Sequence, residues 1–146
     1  MKHLEHAERE ARTSGVFGSI TLESASGSPA LVCEAAGAAA PAHYTLREED
    51  GRMFVGLETR DRWLSESVEA DVMHTGDSLE ELVEEELAEL GLSIPELAVQ
   101  HFRDDSLCYV FRTPLPDSSG PQEVASWLLA YEAAFRELGD MSDDEA

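Results

Sequence analysis

The residues of this chain that could do chemistry are few and scattered. His3 and His6 stand three apart in a helical pattern, with Glu10 four beyond His6, a spacing that can set metal ligands on one helix face. A metal centre also needs fixed geometry and a second shell, which a solvated helix end does not supply, so no metal ligand is assigned. His74 precedes Asp77 by three residues. Asp77 is placed to cap a helix, which accounts for both its type and its position without a catalytic dyad. His43 and His101 stand alone. The acidic groups Glu48-Glu49-Asp50 and Asp104-Asp105 fall at the tips of expected turns, whereas hydrolytic carboxylate pairs work inside a cleft. No GxSxG, Walker A, GxGxxG, HExxH or EF-hand loop occurs, and the stretch from Gly15 to Gly18 lacks the helix or lysine that phosphate cradling needs. Cys33 and Cys108 are far apart, in no CxxC spacing, and each lies in a strand-like apolar run, so both are expected to be buried free thiols. The residues thus read as a non-enzyme without a cofactor.

Charge narrows the partners. Thirty-one Asp and Glu against ten Lys and Arg give a formal charge of -21 in 146 residues. Nucleic acid and anionic membrane surfaces repel such a chain and are excluded as partners. Among the cations only Lys2 is lysine, and asparagine is absent, a bias that fits a GC-rich genome better than salt adaptation. The beginning Met1-Lys2-His3-Leu4-Glu5-His6 has no apolar stretch of signal-peptide length, and no run approaches ~18 apolar residues. A soluble cytoplasmic protein is expected.

The elements that must position these residues read as a single α+β domain over 1–139, followed by an acidic tail, 140–146. The expected class is an antiparallel sheet packed against helices, in the order helix, strand block, helix, hairpin, helix. Residues 1–13 suggest a helix whose thin apolar face, Leu4, Ala7 and Ala11, docks lightly or frays. Alternation of Val16, Gly18, Ile20 and Leu22 fits a strand, Ser26-Gly27-Ser28-Pro29 a turn, and 30–33 a second strand. The small-residue stretch 35–42 is a connection. Strands at 43–47 and 53–57 flank Asp50-Gly51, the strongest hairpin signal in the chain. The run 63–72 reads as a further strand because Val68, Ala70 and Val72 alternate with polar residues. Asp77 or Ser78 opens a helix that runs to Leu90 and stops at Gly91. Its apolar stripe is Leu79, Leu82, Val83, Leu87 and Leu90. Its other face holds six glutamates and no basic residue, so packing must hold it. A second hairpin is expected from 97–103 and 107–113, ended by Pro114 and Pro116. The closing helix begins near Pro121 and ends before Gly139, with Val124, Trp127, Leu128, Tyr131, Phe135 and Leu138 as a core stripe.

This order of elements, the small size and the acidity resemble the class I type III secretion chaperones and the related YbjN-like proteins. The resemblance is carried by 77–138: SLEELVEEELAEL, then LAVQHFRDDSLCYVFRTPLP with its Pro114-Leu115-Pro116 break, then PQEVASWLLAYEAAFREL. It implies a non-enzymatic homodimer that holds a partner protein segment in apolar grooves. Leu79, Leu82, Val83, Leu87 and Leu90 would lie at the dimer or partner interface. The YbjN-like alternative is a regulatory interaction protein without a secretion client, and a small enzyme or metal binder is a third class. Such chaperones have three strands before the middle helix, where this sequence suggests four or five.

Overall fold

Local turn chemistry fixes the frame of the molecule. In a computed structural model that describes residues 2–23, 29–76, 78–94 and 97–141, Asp50 and Gly51 both take positive φ (52° and 79°). This is the backbone a two-residue hairpin requires. They join β3 (Ala42–Glu49) to β4 (Arg52–Thr59), which pair in unbroken register from Ala42↔Thr59 to Glu49↔Arg52. With β1 (Phe17–Glu23), β2 (Ala30–Ala35), β5 (Gln100–Arg103) and β6 (Tyr109–Pro114) they form a six-stranded antiparallel sheet, ordered β1-β2-β3-β4-β6-β5. The fold is α+β, with the sheet packed against helices.

Four helices supply the covering: α1 (Lys2–Ser14), α2 (Arg62–Thr75), α3 (Leu79–Glu89) and α4 (Pro121–Phe135), followed by a 3-10 turn at Gly139–Met141. Strand side chains alternate between faces, and the residues directed to the helices, among them Leu31, Cys33, Tyr44, Leu46, Val55, Leu57 and Phe111, are buried. Helix α4 lies at the centre of this layer, with Trp127, Leu128, Tyr131 and Phe135 enclosed. The one polar pair in that stripe is satisfied: Tyr131 OH and Thr113 Oγ1 lie 2.7 Å apart.

Several expectations need correction. The run 63–72 is helical, not a strand. Asp61 accepts a hydrogen bond from the Leu64 N–H at 2.8 Å, Gly76 closes the helix with φ 84°, and Leu64, Val68 and Val72 recur every four residues on one face. The period-two pattern was a coincidence of two valines and an alanine. Helix α1 does not dock lightly: Leu4, Ala7 and Ala11 are all fully buried against the core, because alanine on the contact face lets α1 approach α4 closely. In β1 the register shifts between Phe17 and Ile20, so Phe17 and not Gly18 joins Ile20 and Leu22 on the covered side, its ring 5.8 Å from that of Tyr44. Met141, assigned to the acidic tail, is buried. The turn at 26–28, Asp77 and the remaining tail, 142–146, lie outside the described residues. Ser78 caps α3, and with Glu81 it completes a reciprocal capping box.

Candidate functional site

The face of the sheet turned away from the helices carries a trough of about 650 Å³. Its residues are the alternate positions of the same strands: His43, Thr45 and Arg47 from β3, Phe54, Gly56 and Glu58 from β4, Cys108, Val110 and Arg112 around β6, and Phe102 from β5. Gly56 forms the floor. A Cβ there would lie 2.9 Å from the Phe111 carbonyl oxygen and 3.4 Å from Thr45 Oγ1, so this position tolerates no side chain without movement of the neighbouring strand.

Two arginines shape the walls. Arg47 donates two hydrogen bonds to the carboxylate of Glu58, at 2.7 and 3.0 Å, and Thr45 donates to the same group at 3.2 Å. This forked pairing holds the Arg47 guanidinium charged, its pKa raised chiefly by the bond to Glu58. Arg112 sits over the Phe54 ring at 4.0 Å and the Phe102 ring at 5.1 Å, while Nε donates to Gln100 at 2.9 Å and Nη1 to Glu49 at 3.1 Å. Rings above and acceptors at the edge leave a planar guanidinium with little freedom. At the end of the trough Arg60 donates to the Ser106 carbonyl at 3.1 Å. Asp104 is tied into the β5–β6 turn by the backbone N–H groups of Ser106 and Cys108, bonds that hold its pKa down against the opposing effect of burial. Arg47, Arg60 and Arg112 thus stand against Glu49, Glu58 and Asp104, and the trough is electrically balanced in a chain of charge -21.

The residues singled out in the sequence fall elsewhere. His3 and His6 face the start of α4, with Nε2 atoms 3.2 Å from the Ser119 carbonyl oxygen and the Gln122 side chain respectively. Among the described residues no three His, Cys, Asp or Glu are grouped to hold a metal ion. His74 is exposed near the end of α2. Cys33 is buried on the covered face, where burial pushes its thiol up to about 12, and Cys108 is half-buried in the trough, its thiol also raised by burial. Of the proposed interface stripe, Val83 and Leu87 are fully enclosed by the chain itself, Leu79 and Leu82 are half-buried against the same core, and Leu90 is 46% exposed. Val83 and Leu87 therefore pack within the chain, α3 lying against α4, while Leu79 and Leu82 stay partly exposed and Leu90 exposed.

Sequence reasoning missed the trough and also the role of His101. On the covered side of β5 its ring stacks on Phe111 at 3.8 Å and 9°, with Nδ1 2.7 Å from Glu69 and Nε2 3.3 Å from Ser65 Oγ, both on α2. His101 thereby fastens the edge strand to α2. Among the described residues no helix is long and apolar enough to cross a membrane. No family model, no curated protein and no solved structure matches the chain.

Proposed function

We propose that this chain is a non-enzymatic protein-binding module, similar in kind to class I type III secretion chaperones, that holds a segment of a partner protein in the trough across its open sheet face. The observation that carries this reading is the trough itself. It is wide enough for several side chains, it is lined by phenyl rings and by arginines already fixed by protein acceptors, and its charges cancel, so a segment can settle there without meeting the repulsion of the remaining surface. The lining is mixed polar and apolar, unlike the purely apolar groove that the resemblance implies. A homodimer, which the resemblance also implies, would have to form without Val83 and Leu87, since α4 covers them.

The test is site-specific photo-crosslinking in the native host, with a benzophenone amino acid at Phe54 in the trough and, as control, at Met73, which is 83% exposed on α2. The expected result is adduct formation with one protein from position 54 and none from position 73. Equal labelling from both positions, or none from position 54, would remove the trough as a partner site.

A further inference from the structure

Strand β5 is the last of the sheet, four residues long, and it takes part in both faces. Successive side chains leave a strand on opposite sides, so His101 points to the helices while Gln100 and Phe102 stand on the trough side. The guanidinium of Arg112 depends on this strand. Two of its four contacts come from β3 and β4, Glu49 at 3.1 Å and the Phe54 ring at 4.0 Å, and the other two from β5, Gln100 at 2.9 Å and the Phe102 ring at 5.1 Å.

The inner strands β4 and β6 are braced by a strand on either side. β5 is braced by its four pairings with β6 and, on the covered side, by His101. A short strand at a sheet edge is among the least stable parts of such a fold, so one side chain that ties it down has a large share in where it lies. His101 reaches two residues of α2 that stand four apart, Glu69 at 2.7 Å and Ser65 at 3.3 Å, and lies flat on Phe111 of β6. A neutral imidazole meets these partners with Nδ1–H donating to the Glu69 carboxylate and Nε2 accepting from the Ser65 hydroxyl. The order of groups is that of a nucleophilic relay. At 2% exposure, however, Ser65 offers no approach to a substrate, and the relay serves to hold the strand.

We infer that His101 is a positioning residue for the trough: by fastening β5 to Ser65 and Glu69 of α2, it sets the place of Gln100 and Phe102 and through them the guanidinium that a partner segment meets. This inference rests on the trough as the partner site. It carries control of that site to the opposite face of the sheet, and to Glu69, which lies outside the trough lining.

Solvent exchange of the Arg112 Nε–H, followed by NMR on the intact protein at neutral pH, tests this. His101→Phe keeps a ring on Phe111 and removes both nitrogens, and Glu69→Leu removes the acceptor on α2. Each is expected to speed the exchange by about tenfold, while Glu69→Gln, which retains an acceptor oxygen, leaves it slow. Continued protection of the Leu46 amide in β3 verifies the fold. Should His101→Phe lose that protection, Glu69→Leu decides alone, since Glu69 is about half exposed. Unchanged Arg112 exchange in Glu69→Leu, or exchange as fast in Glu69→Gln, would overturn the inference and leave the trough reading standing. Photo-crosslinking from position 54 should lose adduct when combined with Glu69→Leu, and an undiminished yield would also overturn the inference. No adduct from position 54 without that change would remove the trough reading itself, an outcome separate from the exchange measurement.

Discussion

The two faces of the sheet are built from the same strands and differ at every alternate residue. On the covered face Leu57 and Phe111 lie opposite each other in adjacent strands and both are fully enclosed. One position along, Gly56 lies opposite Arg112 on the open face, a vacant floor beside a cation stacked on phenyl rings. Burial of apolar area supplies stability on the first face. On the second the arginines are held by paired acceptors, an arrangement that fixes shape while contributing little to stability. Alternation in one strand therefore lets stability and recognition be altered independently.

Exchanging residues across the sheet sharpens this contrast. Phe111→Ala should cost ~3–5 kcal/mol of unfolding free energy by denaturant melt, and Phe54→Ala, on the neighbouring strand but the open face, under ~1 kcal/mol. Equal costs would mean that the open face is also structural. Gly56→Val should cost ~1–3 kcal/mol through its clash with the Phe111 carbonyl and fill the trough floor at the same time. Removal of the Arg47 fork by Arg47→Gln should cost ~1 kcal/mol, since the pair is only half-buried. A pH effect is expected from His101. Burial, opposed by Glu69, holds its pKa below the ordinary 6.5, so the unfolded chain takes up the proton first. Its contribution is then complete above about pH 6.5 and is lost as the pH falls through the folded value. Denaturant midpoints measured from pH 7 downward should fall, and His101→Gln should flatten that part of the curve. The smallest effect concerns the thiols: native-state alkylation should modify Cys108 on the open face before the enclosed Cys33, followed by mass spectrometry.

What was legible in the sequence follows the range of the signal. The Asp50-Gly51 hairpin, the Ser78 and Glu81 capping box and the α4 stripe are all written in residues a few positions apart, and each is realised. The strand reading of 63–72 failed because Val68 and Val72, four apart, satisfy both periods, and the decisive residue, Asp61 as cap, lay before the run. The apolar stripe of α3 was legible, but that α4 of the same chain encloses its Val83 and Leu87 was not, because no local pattern encodes a distant neighbour. The trough was invisible for a related reason. Arg47 meets Glu58 across a hairpin, Arg112 meets Phe54 and Glu49 from about sixty residues away, and Gly56 is an ordinary strand glycine until Phe111 is placed beneath it.

The packing of α1 on α4 also bears on how the chain is made. Leu4, Ala7 and Ala11 settle against a helix that begins at Pro121, and His3 contacts a residue 116 positions later. A ribosome synthesises α1 first, so its apolar stripe stays without its partner until nearly all the chain has emerged. At ~5–20 residues per second that interval lasts on the order of ten seconds. For that interval the charged residues beside the stripe, Glu5, Glu8, Arg9, Glu10 and Arg12, are what solvate the nascent segment.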